Sequence, residues 1–158
     1  MKLSVEEIAV YLHAGPGAPE GALAERIRTL ADEAPIEPRQ ACMRDGRRIL
    51  LCGTIGGAFD AWQRRLSLGS AADALIAQAI GAAAVEKTMN ILEESAKNLL
   101  APGERLKPRR SPGYGKAELS PNGEILRKLD AAKRIGVSAT DSFALVPSKS
   151  VTAICEIE

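Results

Sequence analysis

The chain has 158 residues, of which 46% are hydrophobic and 26% are charged. This length supplies one compact core and is too short for two of ordinary size, so we expect a single domain over residues 1–158. The 21 basic residues balance 20 acidic ones, which argues against binding to nucleic acid or to a membrane surface through a broad electrostatic field. Specificity should therefore lie in a local site.

The cysteines and the N-terminus predict a cytoplasmic protein. Three cysteines, an odd number without a Cys-x-x-Cys spacing, favour a reducing compartment. The first residues lack the apolar stretch of a signal peptide, and no apolar run reaches the ~18 residues that a membrane span requires.

Two helices are predicted at the start of the chain, and residues 1–37 are interpreted as a helical N-terminal extension. Ser4 and Glu7 have the spacing of a capping box, and the first helix should end at the Gly-Pro-Gly of residues 15–17. The second helix should cover about residues 21–34. Its apolar positions are Leu23, Ile27 and Leu30.

Two strand pairs are predicted, one before and one after the central helices in the sequence. Residues 39–44 and 47–52 flank Asp45-Gly46, which suits a type I′ hairpin turn. Residues 142–146 and 151–157 form the second pair. The predicted fold is therefore α+β, with a small antiparallel sheet covered by helices.

The longest predicted helix follows Ser70, which can cap it, and ends before Pro102. Its apolar stripe comprises Leu75, Ala79, Ala82, Met89, Leu92, Ala96 and Leu99. Glu86 falls on the same stripe, so its carboxylate should border a cavity or a cationic partner. A shorter helix is predicted around residues 59–66.

The segment from Pro102 to Pro121 is long, basic and rich in Pro and Gly, and is predicted to be a functional loop. Its basic cluster comprises Lys107, Arg109 and Arg110. A solvated loop and an anion site both remain open for this cluster. Ser120 and Pro121 should then cap and open a helix to about Ile135.

Conventional catalytic and metal-binding patterns are not found. His13 is the single histidine, so neither a nucleophilic triad nor a zinc cluster is predicted. Residues 53–57 are rich in glycine, but they lack the third glycine of a dinucleotide motif and the lysine of a P-loop. A structural turn is the better interpretation of that segment.

Residues 109–114, Arg-Arg-Ser-Pro-Gly-Tyr, have a more specific pattern. Pro112 and Gly113 favour a rigid turn, in which backbone N–H groups, the guanidinium of Arg109 and the ring of Tyr114 can converge on a polar ligand. Four further segments accompany this turn. They are Thr54-Ile55-Gly56, Ala84-Val85-Glu86, Gly136-Val137 leading to Asp141-Ser142-Phe143, and Pro147-Ser148-Lys149-Ser150-Val151.

In this order, the set resembles the activation domain of cobalamin-dependent methionine synthase, and more closely its stand-alone homologues. The resemblance covers about residue 49 to the C-terminus. In that family, inactive cob(II)alamin is reduced by one electron and trapped by methyl transfer from S-adenosylmethionine. The cofactor-binding residues that the resemblance implies are Glu86, Arg109, Ser111, Pro112, Gly113 and Tyr114.

The resemblance also implies roles and partners. Arg109 would pair with the methionyl carboxylate of S-adenosylmethionine, Tyr114 would face the adenosine or the corrin, and Glu86 would lie near the ligand. The partners would be a corrinoid-dependent methyltransferase, which holds the cobalamin, and a flavodoxin- or ferredoxin-type electron donor. No catalytic residue is expected, because the reduced cobalt is itself the nucleophile.

Two other functions stay open at this point. The chain could be a module that docks on a corrinoid protein without binding S-adenosylmethionine, or an unrelated small-ligand or anion-binding domain.

Overall fold

A computed structural model describes residues 1–13 and 17–158. The helices are α1 (Val5–Ala9), α2 (Gly21–Glu33), α3 (Gly57–Ser67), α4 (Ala71–Ala96), α5 (Pro121–Leu129) and α6 (Ala131–Ile135). The strands are β1 (Arg39–Asp45), β2 (Arg48–Thr54), β3 (Ser138–Ala139), β4 (Leu145–Val146) and β5 (Ser150–Glu156). Residues 15 and 16, in the predicted end of the first helix, lie outside the described residues, and α1 already ends at Ala9.

The main sheet has three antiparallel strands in the order β1-β2-β5, so the predicted α+β class is confirmed. The predicted pairing of the last two strands is wrong. The strand β5 pairs with β2, with Leu51 opposite Ala153, and β4 pairs with the short β3 instead. Since six of the seven residues of β2 are buried, this strand needs a hydrogen-bonded neighbour on both edges.

Helices cover both faces of the sheet. One face carries Ile49, Leu51, Ala153 and Cys155 and packs on Met89 and Leu92 of α4. The other carries Leu50 and Cys52 and packs on Ile125, Leu129 and Ile135 of α5 and α6. A third cluster joins α1 and α2 to α3 and to the first half of α4, through Ile8, Ile27 and Phe59 among others.

The three helices predicted to follow a serine cap begin where expected, but only two of the serines make a capping bond. Ser4 and Glu7 form the capping box at α1, and the hydroxyl of Ser70 accepts the amide proton of Asp73 at the start of α4. The side chain of Ser120 makes no capping bond, although Pro121 does occupy the first turn of α5. The helix predicted to reach Ile135 is broken at Asp130, whose φ of 50° is left-handed.

The first hairpin turn is shifted by one residue from the prediction. Asp45 pairs with Arg48, so the two-residue loop is Gly46-Arg47. Gly46 has a φ of 64°, and Arg47 is not among the positive-φ residues. Positive φ at the first loop position alone is the type II′ pattern rather than I′.

The apolar stripe predicted along α4 is only partly right. Leu75 is 67% exposed, whereas Ile76, Ala77 and Gly81 are buried. Because α4 is enclosed by the sheet, α1, α2 and α3, most of its circumference is buried, and a single stripe cannot describe it. In α2, Leu23 is likewise exposed, and Ala24 takes its place in the core.

Candidate functional site

The long loop predicted to be functional is anchored to the outer edge of β5. Backbone bonds join Arg105 to Glu158 and Lys107 to Glu156, and Arg110 exchanges two bonds with Ile154, at 2.9 and 2.8 Å. Residues 105–110 therefore run along β5 as an irregular fourth strand. This attachment fixes the position of the turn that follows.

The side chain of Arg109 lies against α4. Its Nη1 donates to Asn90 Oδ1 at 2.8 Å and to Glu93 Oε2 at 2.7 Å, and its Nη2 donates to Glu86. These three residues lie four and three positions apart and so share one face of the helix. The prediction that Glu86 borders a cationic partner is confirmed, and that partner is Arg109.

Residues 111–114 form the predicted turn. The amide of Tyr114 donates to the carbonyl of Ser111 at 3.4 Å, Pro112 is the second residue, and Gly113 has a φ of 82°. Proline followed by a positive-φ glycine is the type II β-turn. A Cβ on Gly113 would lie 2.5 Å from Cδ2 of Leu119, an exposed side chain that can move aside, so it is the backbone conformation that favours glycine here.

An open cleft of about 380 Å³ lies between this turn and α4. Its lining residues are Glu86, Arg109, Arg110, Ser111, Tyr114, Ala117 and Val151. Four of the six predicted site residues thus meet in one cleft, while Pro112 and Gly113 shape its turn. Tyr114 is 66% exposed, so its ring forms the outer rim of the cleft.

Several neighbours of the cleft carry no sequence motif. Asn90 and Glu93 were missed, although their spacing from Glu86 places them on its helix face. Tyr11 was also missed: burial raises the pKa of its phenol, and the charge of Glu86 raises it further. The chain has only two tyrosines, a scarcity that could have drawn attention to Tyr11.

Cys155, the cysteine that feels the charges of Glu93 and Arg109, is buried. Burial and, to a smaller extent, the carboxylate of Glu93 raise the pKa of its thiol to about 11, while the charge of Arg109 opposes this rise. Such a thiol stays protonated at neutral pH and is a poor nucleophile. The site therefore offers charge and shape to a ligand rather than a reactive side chain.

Two of the other motif segments contact each other. The hydroxyl of Ser150 donates to Thr54 Oγ1 at 2.8 Å, and the amide of Ile55 donates to the carbonyl of Lys149 at 3.1 Å. These bonds join the end of β2 to the start of β5, beside Val151 in the cleft wall. The Phe143 segment lies on the other face of the sheet, where Asn122 binds the Phe143 carbonyl at 2.9 Å.

Within the part of the chain that the structure describes, no group of three or more His, Cys, Asp or Glu side chains is arranged to hold a metal ion. None of the described helices combines the length and the apolarity needed to cross a bilayer.

Comparison with known proteins identifies the fold. No protein-family model matches the chain, and no curated protein matches it significantly by sequence. Among solved structures, the MetH reactivation domain bound to AdoHcy superposes with a TM-score of 0.65 at 16% sequence identity. The match covers 99% of this chain and 77% of that one.

The chain has the fold of the MetH reactivation domain. The fold expected from the sequence resemblance is thereby confirmed. Because almost the whole chain is matched, the shared fold includes α1 and α2, which carry none of the sequence motifs.

Proposed function

We propose that this protein binds S-adenosylmethionine in the cleft between α4 and the 111–114 turn, and that it presents the methyl group to a corrinoid protein during reductive reactivation. One observation carries the proposal. Residues from distant parts of the chain, which the activation-domain resemblance selects from sequence alone, line one cleft in a fold whose solved counterpart is bound to AdoHcy. AdoHcy is what remains of S-adenosylmethionine after methyl transfer.

The cleft suits such a ligand in size and chemistry. Its volume of about 380 Å³ falls in the range of about 300–1,000 Å³ typical of small-molecule sites. Arg109 has five N–H donors, and its three bonds within the described residues leave two for a ligand carboxylate. The exposed ring of Tyr114 offers a surface on which a purine can stack.

The chemistry proposed here needs no general base from this protein. Cobalamin would remain on a corrinoid-dependent methyltransferase, a flavodoxin- or ferredoxin-type donor would supply one electron, and the reduced cobalt would take the methyl group from the sulfonium. This chain would hold the methyl donor in line, and proximity of that kind lowers a barrier by several kcal/mol. We place the protein in the cytoplasm with these partners.

The decisive experiment follows the cobalt by absorption spectroscopy. The cognate corrinoid methyltransferase, an electron donor and S-adenosylmethionine are mixed with and without this protein. We expect the conversion of cob(II)alamin to methylcobalamin to be faster when the protein is present. Equal rates with every corrinoid partner tested would overturn the proposal.

Two binding measurements with the same components separate docking on the corrinoid partner from binding of S-adenosylmethionine. If the protein binds the corrinoid partner but gives no calorimetric signal with S-adenosylmethionine at millimolar concentration, the chain is a docking module. In that case the cleft has another ligand or none.

A further inference from the structure

A bonded group of three charged side chains beside the cleft carries one more negative than positive charge. Arg109 contributes one positive charge, while Glu86 and Glu93, both bonded to its guanidinium, contribute two negative ones. Asn90, the third partner, is neutral. The side chains of Arg109 and Glu93 are only 15% and 27% exposed, so solvent screens this group less than it screens a surface pair.

The neighbouring cations bond to carboxylates outside this group. Arg110 also lines the cleft, but its side chain is 74% exposed and bonds to Glu156 at the outer edge of β5. Lys107 bonds to the same carboxylate at 3.3 Å. Lys87 follows Glu86 on α4, yet it points to α1, where it donates to Glu7 at 2.8 Å. The group formed by Glu86, Arg109 and Glu93 therefore keeps a net charge of −1.

This charge matters for the ligand of the proposed function. S-adenosylmethionine has a carboxylate, an ammonium and a sulfonium, so its net charge is +1. Loss of the methyl group converts the sulfonium to a neutral thioether, and S-adenosylhomocysteine has a net charge of zero. The two molecules share every other charged group, so a change in the ratio of their affinities when a charge of the protein is removed or screened reports on the sulfonium charge.

We propose that Glu93 is a specificity-determining residue that makes the cleft favour the sulfonium donor over its demethylated product. Glu93 lies behind Arg109 and outside the cleft lining, so it acts through the field that it adds to the site. This preference would favour release of the product, because the affinity of the site for its ligand falls when the methyl group leaves. The inference rests on the proposed function of the cleft.

The variant Glu93→Gln tests this role because it keeps an oxygen that can accept from Arg109 and removes only the charge. Calorimetric titration gives the affinities for S-adenosylmethionine and S-adenosylhomocysteine in the parent and the variant. We expect the preference for S-adenosylmethionine to fall about two- to tenfold, the range for a partly exposed charge acting across a cleft. Retained preference in a folded variant would overturn the inference and leave Glu93 a purely structural residue.

Glu94→Gln is the matched control. Glu94 is the next residue of α4, its side chain is 73% exposed, and it pairs with Lys97 away from the cleft. We expect its affinity ratio to equal that of the parent. A ratio that falls equally in both variants would mean that any carboxylate of α4 has this effect, and would also overturn the specific role of Glu93.

A second measurement needs no variant. Raising the salt concentration screens the excess charge, so the preference of the parent should decline with ionic strength, and a constant preference would contradict the inference. Failure of the proposed function looks different, because the parent would then bind neither ligand at any salt concentration.

Discussion

At the scale of single residues, Arg109 is the side chain on which ligand binding should depend most. Replacing Arg109 by Ala removes the two N–H donors that its bonds to α4 leave over. We expect affinity for S-adenosylmethionine to fall about ten- to hundredfold, which corresponds to about 1.5–3 kcal/mol for a hydrogen bond to a charged group. Calorimetric titration measures the loss.

Arg110→Ala is the control for that prediction. Arg110 lines the same cleft and carries the same charge, but its guanidinium is exposed and paired with Glu156. We expect a much smaller loss than with Arg109→Ala. Equal losses would identify a diffuse basic patch, and the residue-by-residue assignment of this loop would then be wrong. Thermal unfolding of each variant checks that the unpaired carboxylates of Glu86 and Glu93 have not disturbed the fold.

Sequence reasoning found the residues that belong to a motif and missed those that support them. Glu86 and Arg109 were both selected, and the position of Glu86 on the helix predicted a cationic partner. Glu93 and Asn90 hold the same guanidinium, but they belong to no motif, and their role appears only when the loop is placed against α4. Their spacing in the sequence predicts that they share a helix face with Glu86, but it does not predict that this face contacts Arg109.

At the scale of helices and strands, the N-caps offer a paired test. Ser70 caps α4 through the amide of Asp73 at 3.2 Å, whereas Ser120 precedes α5 without a capping bond. We expect Ser70→Ala to cost about 0.5–2 kcal/mol of unfolding free energy, and Ser120→Ala to lie within about 0.5 kcal/mol of the parent. Urea denaturation measures both, and similar losses would contradict the assignment of the caps.

Gly81, in the middle of α4, should resist replacement although alanine is the better helix former. A Cβ there would lie 2.7 Å from Phe59 Cε1 and 2.7 Å from Lys149 Cε, and Phe59 is fully buried. Overpacking of about 1–3 kcal/mol outweighs a gain in helix propensity of at most about 1 kcal/mol. We expect net destabilisation in thermal or urea unfolding.

Gly69→Ala serves as the control for the packing argument. A Cβ on Gly69 would meet only the carbonyl oxygen of Leu66, at an ordinary 3.8 Å. We expect its stability to stay within about 0.5 kcal/mol of the parent. A Gly81→Ala protein as stable as the parent would show that the contact between α3 and α4 can relax.

Most helices and strands could be predicted from sequence, but the pairing of the last two strands could not. The period-two segments after residue 38 and the caps of α1 and α4 are local signals, so the first hairpin and both helix starts were found. Strand pairing is not local: β5 lies beside β2, about a hundred residues away, because β2 is buried on both faces. The break at Asp130 was missed because an aspartate, and not a glycine, has the left-handed φ there, and an aspartate does not by itself predict the end of a helix.

At the scale of the whole molecule, an ion pair joins the first hairpin to the loop that carries the site. Arg44 of β1 donates to both oxygens of Glu104, at 2.6 and 2.8 Å, and also to the carbonyl of Leu99 at 3.1 Å. Glu104 in turn accepts the amide proton of Ala101 at 2.7 Å. The residues just after α4 and the start of the loop are thereby bonded to the sheet.

This pair should make stability depend on pH. The hydrogen bond from Arg44, followed by that from the Ala101 amide, lowers the pKa of Glu104 from 4.5 to about 2. Because the folded carboxyl holds its proton less tightly than the unfolded one, its stabilisation is complete above pH 4.5 and is lost as the pH falls towards 2. We expect the melting temperature of Glu104→Gln to fall less steeply than that of the parent across this window.

The partner variant distinguishes this pair from the other carboxylates whose pKa is lowered, such as Asp45. Arg44→Gln removes the largest cause of the shift while leaving Glu104 and the Ala101 amide in place, so it should abolish part of the same pH dependence. The melting temperature of the double variant should depend on pH in nearly the same way as that of Glu104→Gln alone, because both changes break the same interaction. Parallel melting curves for the parent and Glu104→Gln between pH 4.5 and 2 would mean that the loop is held to the sheet mainly by its backbone bonds to β5.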